Sequence, residues 1–392
     1  MLALTPDRRA LAGVLFLPLL ACGSETEPSP ADTGGSQLVD AGASSGADLG
    51  TDASVDLGVD AGALPSDAGP TSDAGPNDAG ATDLGPGDAG PAPALFPAGA
   101  WFNQPIDTAP LHPRSAEMTQ WLADNGGWGF GRMQIDFSLT VMEAEADTPY
   151  ETFEPTRAFY ETDCDAVPFP VPANGRIEGE SGMACEGDGD CHLIVIDRRV
   201  DRLFEMWRAN ITPEQFFGGC VAAWDLTRVY GPEGRGEQCT SADAAGFPIA
   251  PLLFSADEIA AGEIRHAIRF TLPNPRMRAR SYVRPATHAG NPSGPESAPI
   301  YGSRWRLRAD YPVDSLENEG ARVVARAMQR YGMALADGGN IALTARNDFN
   351  TTAKWADIMG PHALRPLQPT DFEIIDTGEI IPLTYECVRT PY

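Results

Sequence analysis

Lysine is almost missing from this chain. Lys354 is the only one in 392 residues, and 28 basic residues face 55 acidic ones, for a formal net charge of −27. So little positive charge excludes the broad phosphate contacts that carry nucleic-acid binding, and makes anionic lipid an equally poor partner. There is no glycine-rich phosphate loop, no G-x-S-x-G elbow and no H-E-x-x-H pair. Those absences set aside nucleotide-binding, α/β-hydrolase and zincin chemistry. No C-x-x-C or paired-histidine spacing supports a zinc site, so no metal is expected. Long apolar runs are also lacking: the longest, LAGVLFLPLL from Leu11 to Leu20, is too short to span a bilayer.

That short run follows Arg8 and Arg9, the layout of an export signal over residues 1–21. Leu19-Leu20-Ala21-Cys22 then resembles the bacterial lipobox. The resemblance implies cleavage before Cys22, acylation of that cysteine, and a lipoprotein anchored to the outer membrane or cell surface. Residues 23–93 repeat Asp-Ala-Gly at Asp40, Asp60, Asp67, Asp73, Asp78 and Asp88, with 13 acidic residues, no basic ones and no aromatics. Such a stretch buries too little apolar surface to offset its ordering entropy, so 22–93 reads as a lipidated cysteine followed by a disordered acidic linker. Its Asp-x-Gly units lack the alternating ligands of a calcium loop.

Residues 94–392 are left for one exported domain, expected to be monomeric. Six cysteines remain there, and an even number in an exported chain argues for three disulfides. Short separations suggest Cys185–Cys191 and Cys220–Cys239, which leaves Cys164–Cys387. The acidic loop CEGDGDC is the one place where calcium is weakly suggested.

Alternation marks strands at 133–142, 263–272 and 304–310, and two short ones across Asp376–Glu379. Helices are few. One starts after Pro113 with Ser115 as N-cap. A second carries the capping box Ser255–Glu258 and ends at Gly262. A third, over 315–333, places Val324, Met328 and Tyr331 on one face. The expected fold is mainly β, an antiparallel two-sheet sandwich of jelly-roll type with peripheral helices.

The stretch HLIVIDRRVDRLFEMW reads as a hairpin with apolar residues on both faces, yet Glu205 stands between Leu203 and Trp207. A buried carboxylate needs a partner or water. Glu205 therefore either floors a cleft, with Trp207 as a platform for a sugar ring, or pairs with an arginine. Similar reasoning selects Asp243 in a small-residue loop, Asp225 beside Trp224, His266 on an apolar strand face and His288 in a breaker-rich loop. Residues from roughly 190 to 375 are similar to a group of secreted bacterial and fungal proteins. The similarity rests on SADAAGFPIAPLLFSADEIAAGEIRHAIRFTLP, RPATHAG, ARAMQRYGMALADGGN and FEIID. It implies one continuous β-rich exported domain and brings no activity with it.

These residues point to a surface lipoprotein that binds or cleaves polysaccharide. A hydrolase would use Glu205 with Asp243 or Asp225 as facing carboxylates. A lyase would use His266 or His288 as base, assisted by Tyr282, with Arg269 or Arg284 neutralising a uronate. Trp207, Trp224 and Arg269 are the candidate substrate contacts. A non-catalytic adhesion or structural lipoprotein is the alternative, and it predicts acids paired with arginines inside a filled core.

Overall fold

The computed structural model of the chain describes residues 94–187 and 189–390. The signal segment, Cys22 and the Asp-Ala-Gly stretch lie outside the described residues. Strands predominate and helices are few. Two larger sheets are built from β1 (Ile135–Leu139), β2 (Val141–Glu143), β3 (Leu193–Asp197), β4 (Arg202–Met206), β5 (Val221–Asp225), β6 (Ile268–Leu272), β7 (Arg304–Leu307), β8 (Met333–Gly338), β9 (Leu343–Arg346) and β10 (Phe372–Ile374). Their orders are β1-β9-β6-β8-β7-β10 and β5-β4-β3-β2.

The sheets are mixed where the sequence suggested antiparallel ones. β1 runs parallel to β9, β6 to β8 and β2 to β3. Parallel pairing needs a long crossover, and that between β6 and β8 carries helix α3 (Glu319–Arg330). Asn318 caps α3 by accepting the Ala321 N–H at 2.9 Å, and Val324, Met328 and Tyr331 are buried as the spacing predicts.

The other two helices follow the sequence with one exception each. Helix α2 (Ala256–Ala260) has the expected capping box and stops ahead of Gly262, at φ +82°. Its continuation, however, is a turn, so the strand predicted from residue 263 starts only at Ile268, leaving His266 outside it. Helix α1 (Ser115–Asp124) buries Met118 and Leu122, but Ser115 is not its cap. Its hydroxyl oxygen instead accepts the Ile374 N–H at 2.8 Å and fixes β10. The strands flanking Asp376–Glu379 form without becoming a hairpin: β10 pairs with β7, and Ile381–Pro382 pairs with Ser281–Tyr282.

The β3–β4 hairpin is covered on both faces, as its composition requires. Ile194, Ile196, Leu203 and Trp224 belong to the main apolar cluster, whereas Leu193, Val195, Phe204 and Met206 belong to a second one with Phe169 and Phe216. Trp128, Phe270, Trp305 and Phe372 knit the first sheet's core, with ring centroids 5.4–6.5 Å apart. Each such aromatic contact contributes about 1 kcal/mol beyond its buried area.

Three disulfides form, which places the domain in an oxidising, extracellular environment. Cys185–Cys191 pairs as expected, but the other bonds are Cys164–Cys220 and Cys239–Cys387. Sequence proximity misleads here because backbone pairing decides. Asp165 N–H reaches Val221 O at 2.9 Å, and Val388 N–H reaches Glu237 O at 2.9 Å. Among the described residues no helix is long and apolar enough to cross a membrane.

The bonds close loops of very different length, with sequence separations of 148 for Cys239–Cys387, 56 for Cys164–Cys220 and 6 for Cys185–Cys191. Chain entropy then ranks their contributions at roughly 5, 4 and 2 kcal/mol. Paired Cys→Ser variants should lower the melting temperature in that order; an inverted order would show that strain or denatured-state structure dominates.

Candidate functional site

The eight charged or aromatic side chains that the sequence selects do not share one place. Glu205 is fully buried and faces no cleft. Nor does it meet an arginine. Its carboxylate accepts N–H groups from Ile249 and Ala250, each at 2.8 Å, and the Trp224 indole at 3.0 Å. Burial pushes its pKa up to about 7 against those three donors. The residue is a tie between β4 and the turn at 249–252. Trp224, 1% exposed, offers no face to a polymer. It borders a small cavity of about 20 Å³, with Trp101, Tyr230 and Phe247, which holds no more than a water molecule.

Asp225 and His266 are likewise occupied. Asp225 is bound to Arg202 at 3.0 Å, its cross-strand neighbour, and to the Thr227 hydroxyl at 2.6 Å. His266 holds Glu258 at 3.1 Å and the Ala267 carbonyl at 2.8 Å, next to the cap of α2. Burial disfavours its charge, yet the Glu258 carboxylate outweighs this and raises its pKa.

Asp243, Arg269 and His288 do converge. Arg269, on β6, is buried, and its Nε donates to Asp243 Oδ1 at 2.7 Å while Nη2 donates to Asp337 Oδ2 at 3.0 Å. Two acids thus share one edge of a guanidinium. Asp337 was not anticipated, and its position explains why. Strict alternation along β8 sets it on the face of Met333 and Leu335. The register slips between Phe270↔Leu335 and Thr271↔Asp337, so Ala336 is an extra residue. This bulge turns Asp337 onto the Arg269 face, and the Ala336 carbonyl accepts the Ala245 N–H at 2.9 Å.

The loop carrying Asp243 is held just as firmly. Gly246 lies at φ +79°, and a Cβ there would collide with Thr287 Oγ1 and the Cys239 carbonyl. Thr287 Oγ1 donates to that carbonyl at 2.7 Å. Ala244 then bridges two functional side chains: its N–H meets Asp337 Oδ2 at 3.3 Å, and its carbonyl meets His288 Nδ1 at 2.9 Å. With Nδ1–H so engaged, His288 Nε2 keeps a free lone pair. Burial lowers the His288 pKa, so the ring is neutral at pH 7.

Charge is crowded here. His192 Nδ1 meets Glu178 at 2.6 Å, and its Nε2 meets the Ala242 carbonyl at 3.0 Å. Burial opposes that ion pair, but mutual attraction prevails, lifting His192 to about 9 and holding Glu178 down to about 2. Asp243 and Asp337 respond oppositely: burial raises both, Asp243 to about 7, despite Arg269 between them. Asp243 is sealed from solvent, whereas the Asp337 side chain is 22% exposed. Asn274 Oδ1 is buried without a partner, 2.7 Å from where a Cβ on Gly338 would stand, and the buried Tyr301 hydroxyl lies beside Gly290. An unpartnered buried polar atom beside a half-open carboxyl is what a polar ligand's hydroxyl can satisfy.

Trp207 lies along a chain of contacts from this cluster. Its Nε1 donates to Asp190 at 2.9 Å, and Asp190 is near enough for its charge to act on both His192 and Asp337. Trp207 lines an open depression of about 640 Å³. Among the described residues, the Glu180–Cys185–Cys191 group that approaches metal-ligand spacing has its two sulfurs in a disulfide, so it offers no thiolate pair.

The Glu178–His192 pair fixes a pH window. Above 6.5 and up to about 9 the folded state keeps a proton on His192 that the unfolded chain releases, so stability falls as pH rises through that range. Below 4.5 and down to about 2 the folded state resists protonating Glu178, so stability falls as pH drops. Glu178→Gln should cost about 3 kcal/mol between pH 4.5 and 6.5, with the deficit shrinking toward pH 9. A pH-independent deficit in urea melts would mean that the pair is not ionised. No protein-family model, curated protein or solved structure matches this chain.

Proposed function

We propose that the domain is an exported glycoside hydrolase acting on polysaccharide, with Asp337 as its proton donor. One observation carries this reading: two carboxyl groups share the Arg269 guanidinium, and the solvent-reaching member, Asp337, has a raised pKa. Protonation of a glycosidic oxygen calls for a carboxyl group that burial holds above the usual carboxylate range, the direction of the Asp337 shift. His288 Nε2, across Ala244, is placed to accept a proton from water. Lyase chemistry is less well served, because the Arg269 guanidinium already donates to two carboxyl groups and has little left for a uronate.

The two-sheet sandwich expected from the sequence is supported by residues of both larger sheets meeting in one apolar cluster. A lipid anchor at Cys22 belongs to the same reading, supported by the lipobox resemblance and by three disulfides. A second reading, a non-catalytic adhesion lipoprotein, is favoured by a separate fact: Glu205, Asp225 and His266 each have internal partners.

The test is a polysaccharide panel scored for reducing ends and for absorbance at 235 nm. Asp337→Asn, with a folded state verified by circular dichroism, should lose about 10²- to 10⁴-fold in kcat, while Asp225→Asn should cleave normally. Unsaturated products would replace the hydrolase with a lyase, and silence across the panel would leave the adhesion reading.

A further inference from the structure

The depression lined by Trp207 has a chemical character of its own. Tyr160 stands on it 49% exposed, Phe217 is half-buried, and Arg157 and Arg208 both border it. Trp207 is held still through Asp190, and the Arg208 guanidinium lies 5.2 Å from its ring centroid. Among the described residues neither arginine has an ion-pair partner, in a chain where acids outnumber bases 55 to 28. Most arginines of the domain are neutralised: Arg114, Arg199, Arg202, Arg235, Arg269 and Arg306 all bind carboxylates. Others, among them Arg132, Arg276 and Arg304, bind no carboxylate among the described residues either, so what marks this depression is that two such guanidinium groups border one indole. Arg208 is also held at φ +60°, a conformation unfavourable for a side chain of its size.

The half-buried Trp207 ring and the exposed Tyr160 ring offer faces for the apolar side of a pyranose, and guanidinium groups supply forked donors matched to carboxylate or sulfate. We propose that this depression is a binding subsite for an anionic polysaccharide, with one sugar on Trp207 and its acidic groups held by Arg157 and Arg208. The proposal rests on the polysaccharide reading above and names the substrate class. It does not need the cleavage chemistry. Asp190 accepts from the Trp207 indole and is near enough for its charge to act on Asp337, so the depression lies toward the Asp337 cluster. The long-range field of so acidic a chain repels polyanions, which makes binding a local property of this surface rather than ion exchange.

The experiment measures the affinity of the full chain for polygalacturonate, dextran sulfate and a neutral β-glucan of similar length. At least one anionic polymer should bind about tenfold or more tighter than the glucan, and the better of the two identifies the acidic group. The double variant Arg157→Ala with Arg208→Asn should lose that preference, asparagine being chosen because it tolerates positive φ. Trp207→Ala should weaken all binding. Equal or tighter binding of the glucan, unchanged affinity in the double variant, or no binding of any polymer would overturn the proposal. Affinity is read separately from cleavage, so the subsite stands or falls on these measurements whether or not any polymer is hydrolysed.

Discussion

Everything near the candidate site depends on neutralising one buried cation. Arg269 sits in the middle of a six-stranded sheet, where an unpaired guanidinium would cost several kcal/mol in lost hydration. Its needs organise its surroundings. Asp243 comes from a loop, Asp337 from a bulged strand and Thr344 Oγ1, at 3.5 Å from Nη1, from the strand on the other side. The loop, the bulge and the sheet thus have a common centre, and shifting any one would strand a charge in the interior.

The other buried acids show a different solution to the same problem. Glu205 meets no cation at all; two backbone N–H groups and an indole solvate it. Asp165 accepts from Arg235 at 2.6 Å, from the Ala223 N–H at 2.9 Å and from Arg389. Each acid joins segments far apart in sequence. Much of the interior polarity is therefore cross-linking, and the Asp337 neighbourhood differs in pairing a partly exposed carboxyl with a neutral histidine.

How much of this could be read from residues alone follows from the range of each interaction. The β3–β4 hairpin, the capping box at Ser255 and the buried face of α3 depend on neighbours a few positions away, and their patterns were legible. Asp243, Arg269 and His288 could be singled out as polar residues among small or apolar ones. Asp337 could not, because the bulge at Ala336 reverses the face that alternation assigns to it, and bulges leave no mark in composition. The partners of Glu205 were hidden for a related reason: backbone N–H groups exist at nearly every residue, so sequence cannot say which ones will be near. Disulfide pairing failed where short separation pointed one way and strand pairing the other.

The Cys239–Cys387 bond reaches across 148 residues, and Cys239 immediately precedes the loop that delivers Asp243. A chain threaded through a membrane amino-terminus first presents Cys239 long before its partner arrives. The loop therefore stays unstapled while synthesis and transit continue, and the acid cluster is locked only after the distant cysteine has reached an oxidising compartment. The last covalent constraint on that loop thus comes from a residue near the far end of the described chain.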